Sequence, residues 1–278
     1  MLEPRRRVFP TSSRAASVTL ALGWLAACVM GAVLGLLGGG GSILTVPILV
    51  YLFGVEPVAA SGYSLFIVGW AALVGGARYL RRGQVELEAV VAFGVPSILG
   101  VYACRRWVVP ALPEVFFPGS PLALEKGTVV LVTFAMLMLL ASYSMIRGRK
   151  LPEGIHEPPD GSRRLYRLIG EGALIGVLTG FVGAGGGFLI IPALVVLAGL
   201  PMKTAVGTSL TIVAMKSLLG FVGELQSSGG VDWALVLGFT AVGIVGMVAG
   251  TTLSSRIPNE KLKPAFGWFV FAMGSWML

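Results

Sequence analysis

The chain has 278 residues, of which 55% are hydrophobic and 12% charged, with a mean hydropathy of +0.87. An ordinary soluble domain carries about 25% charged residues, so there is too little charge here to cover a soluble surface. The composition points instead to an all-α polytopic membrane protein, because lipid leaves the edge of an open sheet unsatisfied. The net charge of +8 fits basic loops on the cytoplasmic side of a bilayer; lipid, not nucleic acid, is the expected surroundings.

Residues 1–16 read as a cytoplasmic tail. Two short patterns near the N-terminus, RRRVF (5–9) and LAAC (25–28), resemble a twin-arginine signal and a lipoprotein box. The chain stays apolar past Cys28, so 17–37 reads as a retained first helix. Apolar runs of about 20 residues, the length of a crossing, follow at 57–77, 87–104, 127–146, 168–182, 204–223, 233–253 and 265–278. That makes about eight helices. Cys28 and Cys104 fall in different runs, and no disulfide is expected.

The chain is written twice. GLLGGGGSILTVPILVYLFGVEPVAASGYSLFIVGWAALVG (35–75) aligns without a gap over 180–220, matching Gly38/Gly183, Gly40/Gly185, Gly41/Gly186, Pro47/Pro192, Gly54/Gly199, Gly62/Gly207, Ser64/Ser209 and Gly75/Gly220. The match resumes with 83–94 over 229–240. Two four-helix repeats follow, 17–146 and 166–278, joined by a charged, proline-bearing cytoplasmic linker at 147–165. Basic residues precede both copies, so both are expected to start on the cytoplasmic side as parallel repeats. This places thirteen basic residues inside and seven outside, with Lys216 on neither side. Arg105, Arg106, Arg256, Lys261 and Lys263 fall outside and count against it.

In both copies the first helix is broken by glycines, at 38–42 and 183–187, ahead of a short apolar piece, 43–54 or 188–199. Twelve helical residues reach only about 18 Å, half a membrane. The break reads as a kinked or re-entrant segment. A helix start buried at that depth presents open N–H donors and partial positive charge, which suits an anion. Gly38, Gly39, Gly40, Gly41 and Ser42, with Gly183, Gly185, Gly186 and Gly187, are therefore the candidate site for a small anionic substrate. Close packing is the competing reading. It is preferred for the small-xxx-small glycines Gly31/Gly35, Gly172/Gly176/Gly180 and Gly246/Gly250. Neither cluster carries the Lys-Ser/Thr of a phosphate loop.

Lys216 is the one charge deep inside an expected span and is a candidate for the anion path, against a snorkelling lysine. Copy one has Ala71 at that position. Ser64, Thr208 and Ser209 can offer hydroxyls to an anion, or bond their own helix backbone. Glu171 is a candidate for ion coupling. The one histidine, His156, lies in the linker, which leaves a metal or Ser-His site nothing to be built from. No enzyme activity and no cofactor are expected. An anion-selective channel, or a permease for another small organic anion, is the rival to a carrier.

The residues GAGGGFLIIP (183–192), AVGTSL (205–210) and GGVDW (229–233), with the looser GGGGSILTVP (38–47) and ASGYSL (60–65), closely resemble the TauE/SafE sulfite-exporter family of bacterial membrane permeases. The resemblance covers 31–104 and 172–255. It implies a secondary transporter in the bacterial inner membrane, with the N-terminus inside, that exports sulfite, sulfoacetate or related organosulfonates. A homodimer is one assembly it allows. Tyr63 stands where copy two has Thr208, which breaks the expected hydroxyl pair.

Overall fold

The computed structural model describes residues 13–108, 111, 113, 115–116, 124–146, 161–182, 187–225 and 231–277. The N-terminal tail beyond Ser13, the linker up to 160 and the glycines 183–186 lie outside these. The described chain is helical apart from a two-residue antiparallel ribbon, Val115–Phe116 with Leu124–Glu125. In chain order the helices are α1 (Ser13–Leu37), α2 (Ser42–Tyr51), α3 (Pro57–Arg81), α4 (Leu87–Ala103), α5 (Lys126–Ile146), α6 (Gly161–Val182), α7 (Gly187–Pro192), α8 (Met202–Leu225), α9 (Trp233–Arg256) and α10 (Asn259–Met277). Among the described residues, four stretches are long and apolar enough to cross a membrane: Thr19–Leu37, Ala59–Arg81, Met202–Val222 and Trp233–Arg256. The short α2 and α7 match the expected half-helices. Cys28 and Cys104 are free thiols.

Local chemistry sets the boundaries. Glu56 accepts a bond from the Ala59 N–H at 3.2 Å and Pro57 follows it, which together start α3. Asp232 starts α9 by accepting from the Leu235 N–H at 3.1 Å. The arms after the two glycine breaks end alike. Gly54 and Gly199, equivalent in the alignment, have φ of +66° and +68°. Beside them Val55 N–H bonds the Leu49 carbonyl (3.0 Å) and Leu200 N–H bonds the Leu194 carbonyl (2.9 Å). Each bond joins residues six apart, one more than in the usual glycine-ended helix stop, and closes around a left-handed glycine.

α1 and α2 form a hairpin. A side chain at Gly41 would meet Leu34, and one at Gly23 would meet the Phe53 ring, so α2 runs back along α1. Phe53 also packs edge-on against Trp24, with ring centroids 5.3 Å apart. α3 then rises beside α9 in the same sense as α1, because Tyr63 meets Asp232 at one end while Tyr79 meets Ser254 at the other. α1 also runs parallel to α9: Gly31 abuts Gly243, Gly35 abuts Met247, and Gly246 and Gly250 abut Cys28 and Ala32. Glycine packing was the expected role of these residues, and backbone contact is what the structure shows.

The remaining long helices of the core run the other way. α8 is antiparallel to α3, with Gly69 on Leu218, Gly75 on Leu210 and Gly76 on Thr211. α4 follows the direction of α8, since the Glu86 N–H reaches Thr208 and Gly94 abuts Ile212. α6 follows α4, with Gly172 on Phe93 and Gly176 on Ser97. So α1, α3 and α9 point one way, and α4, α6 and α8 the other. α5 packs on α10, with Gly267 against Ile146.

The contacts repeat when the halves are exchanged. Gly31 on Gly243 becomes Gly176 on Ser97; Gly246 on Cys28 becomes Gly100 on Ala173; Gly75 on Leu210 becomes Gly220 on Leu65. The expectation of parallel repeats is corrected here, because the equivalent helices α1 and α6 run in opposite directions. The reason is the hairpin. The first glycine break reverses the chain instead of kinking it, and α8 starts on the same face as α6, so each half gains a return stroke beside its four long helices. The start of α1 and the start of α6 consequently lie on opposite faces of the core. The face holding the end of α3 and the starts of α4, α6 and α8 is called the linker face below.

Candidate functional site at the tips of two hairpins

The glycine tip of the first hairpin is a tight turn. Gly38 has φ +68°, open to glycine at no steric cost, and Gly38–Gly41 form one 3-10 turn leading directly into α2. No side chain caps the start of α2. A side chain on Gly38 would strike Ile191 at 2.6 Å and approach Ser209 Oγ at 3.2 Å. One on Gly39 would overlap the Gly187 backbone, and one on Gly187 would meet Gly39 Cα at 3.0 Å and Val213 at 2.8 Å. Val213 is halfway along α8. The two breaks therefore meet, as far as Gly39 and Gly187, near mid-height of the core. Gly183, Gly185 and Gly186 lie outside the described residues. Gly40 is part of the 3-10 turn.

The candidate hydroxyls separate into two kinds. Ser42 donates to the Gly39 carbonyl at 2.6 Å and stiffens the turn. Ser64 donates to the Ser61 carbonyl at 2.7 Å, within its own helix, as the competing reading has it. Thr208 accepts from the Glu86 N–H at 3.0 Å and Tyr63 accepts from the Asp232 N–H at 2.9 Å. These are the same bond in the two halves, since Glu86 aligns with Asp232. The expected loss of symmetry at Tyr63 is thus corrected: the phenol supplies the hydroxyl that threonine supplies in the other copy. Both tie a helix start to the core.

Ser209 differs. It is fully buried, and its Oγ has no hydrogen-bond partner among the described residues. A buried hydroxyl without a partner costs about 1–3 kcal/mol, and this one lies beside the Gly38 tip. Thr45 of α2, which sequence reasoning missed, is fully buried with an unpartnered Oγ1 as well. The signal was available: it is the one polar residue between Ser42 and Pro47, and copy two has Ile190 there. Lys216 lies on the same stripe of α8 as Ser209 and Val213, at the i, i+4, i+7 spacing that shares one helix face. Its Nζ donates to Thr179 Oγ1 at 2.8 Å, near the end of α6 just ahead of the second break. Thr179 gave no signal in the sequence. Glu171 is two helical turns earlier on α6, half-buried, with Oε2 unpartnered among the described residues.

Helices that cross a bilayer, paired across two halves with paired breaks between them, define the class: a multi-pass membrane transporter. The family model described as sulfite exporter TauE/SafE matches residues 23–277, and the chain belongs to that family. It is 32% identical over 254 residues to a probable membrane transporter protein of Xylella fastidiosa, covering 90% of this chain and 91% of that one. It is 26% identical to the probable membrane transporter protein YunE of Bacillus subtilis (84% and 88% covered) and 24% identical to one from Methanocaldococcus jannaschii (90% and 93% covered). No solved structure matches.

Proposed function

We propose that the protein is a secondary transporter that exports small sulfur-containing anions, such as sulfite, sulfoacetate or related organosulfonates. The observation that carries this reading is the meeting of Gly39 and Gly187 about halfway along α8, with the Ser209 hydroxyl, unpartnered among the described residues, beside the adjoining Gly38. The first turn of α2 supplies N–H donors, Ser209 a hydroxyl and Lys216 a charge. The attraction between Lys216 and an anion about 4 Å away is on the order of 4 kcal/mol at an effective dielectric near 20, before desolvation is subtracted. The recurrence of contacts on exchange of the halves supports an inverted repeat with its two-fold axis in the membrane plane. Such repeats hold their substrate near mid-membrane at broken helices.

The charge distribution supports a cytoplasmic linker face. Moving Arg5, Arg6, Arg7 and Arg14 outside and Lys203, Arg256, Lys261 and Lys263 inside keeps the excess at thirteen to seven. It brings Arg256, Lys261 and Lys263 inside and leaves Arg105 and Arg106 outside. The protein then lies in the cytoplasmic membrane with the start of α1 outside.

Titration of the purified protein tests the site. Sulfite and sulfoacetate are expected to compete with each other, and chloride and acetate not to displace them. Ser209→Ala is expected to weaken binding about tenfold with no loss of folded protein. Lys216→Met is expected to weaken it more, and Lys216→Arg to retain part of it. Wild-type affinity in well-folded Ser209→Ala and Lys216→Met variants overturns the site.

A further inference from the structure

On the linker face the ends of α1, α3 and α9 are joined by polar bonds. Tyr79 is 1% exposed. Its hydroxyl lies 2.8 Å from Ser254 Oγ and 3.3 Å from the Gly35 carbonyl oxygen. Arg82 donates to the Thr251 carbonyl at 3.0 Å and Arg78 to Thr252 Oγ1 at 3.1 Å. Arg82 thereby ties the end of α3 to α9 one turn before the end of that helix. Gly35 is three residues before the reversed tip at Gly38, so the Tyr79 bond acts on the arm that carries the candidate site.

Exchange of the halves, which reproduces the packing contacts so closely, does not reproduce this cluster. The positions equivalent to Tyr79, Ser254 and Gly35 are Glu224, Val108 and Gly180; those equivalent to Arg78 and Thr252 are Gly223 and Arg106. A phenol–hydroxyl–carbonyl bridge cannot form from those residue types. In an inverted repeat, access alternates because each half adopts in turn the conformation of the other. A contact made on one face and impossible on the other must break in one of the two states. It therefore biases their populations by its own free energy.

We infer that Tyr79 is a positioning residue, the centre of a latch that holds the first hairpin closed toward the linker face and makes the state closed there the resting state. The inference rests on the transporter reading for its purpose. Its geometry belongs to the chain alone, and the test can therefore be made without substrate.

The experiment uses full-length protein in which Cys28 and Cys104 are replaced and Ser209→Cys is the reporter. An impermeant maleimide is applied to one face at a time, in right-side-out and in inside-out vesicles. Tyr79→Phe keeps the ring and removes the hydroxyl. It is expected to raise labelling from the linker face about tenfold, the effect of one lost buried hydrogen bond, and to lower or leave unchanged labelling from the other face. Ser254→Ala is expected to act in the same direction by a smaller factor, and Tyr63→Phe, whose hydroxyl bonds the other end of α3, is expected to leave linker-face labelling unchanged. Unchanged labelling in both Tyr79→Phe and Ser254→Ala, or a rise of equal size from both faces, overturns the latch. Flux of sulfite measured separately, in vesicles of protein that keeps Ser209, reports on the transporter reading, so its failure is read independently of the labelling result.

Discussion

A methyl group at Gly39 has nowhere to go, because the Gly187 backbone already occupies its place. Gly170 is a helical glycine of the same chain with nothing within 4 Å of an added Cβ. The pair makes a controlled comparison. Gly39→Ala is expected to destabilise by about 1–3 kcal/mol, the usual cost of overpacking, and to part the two tips. Gly170→Ala is expected to be neutral or to stabilise by about 0.5–1 kcal/mol, because alanine restricts the unfolded chain and favours helix. Thermal unfolding in detergent checks both. Equal shifts in the two variants would show that the tips yield to a methyl group. At this scale the sequence was a partial guide. Glycine spacing named the positions of closest approach correctly, since a missing side chain is visible in the text. It could not say which hydroxyls were already bonded: Ser42, Ser64 and Ser209 look alike in sequence, and only their surroundings divide them.

At the scale of elements, the hydroxyls of Thr208 and Tyr63 hold the starts of α4 and α9 against the core. Tyr63→Phe is expected to cost about 1 kcal/mol of stability with anion affinity unchanged, because the partner of this phenol is a backbone N–H at a helix start. A calorimetric melt and the binding titration together check this; a loss of affinity without a loss of stability would move Tyr63 into the site. The long helices were legible from their apolar runs, and the half-helices from glycine and proline. The choice between a kinked and a re-entrant segment was not. A glycine stretch that kinks a helix and one that reverses it have the same composition. Which occurs depends on whether the returning arm finds a surface, here the stretch of α1 from Trp24 to Leu34.

For the whole molecule, that one reversal decides the topology, and charge counting could not find it. The basic residues divide thirteen to seven under either arrangement, because the four arginines of the tail exchange sides with four basic residues of copy two. Single cysteines at Ser13 and Ser162 are expected to react with an impermeant reagent from opposite faces of the membrane. Labelling of both from one face would restore the parallel arrangement and remove the shared axis. The pairing of the halves has another consequence, for biogenesis. α1 finds its main partner in α9, α3 in α8 and α4 in α6. When Gly31 leaves the ribosome, Gly243 has yet to be made, and at about 5–20 residues per second the wait is on the order of ten to forty seconds. During that interval the small-residue seams of the first three helices have only lipid, or an insertion chaperone, to lie against. Neither half is therefore equipped to mature alone, and synthesis of the second half is itself the step that completes the first.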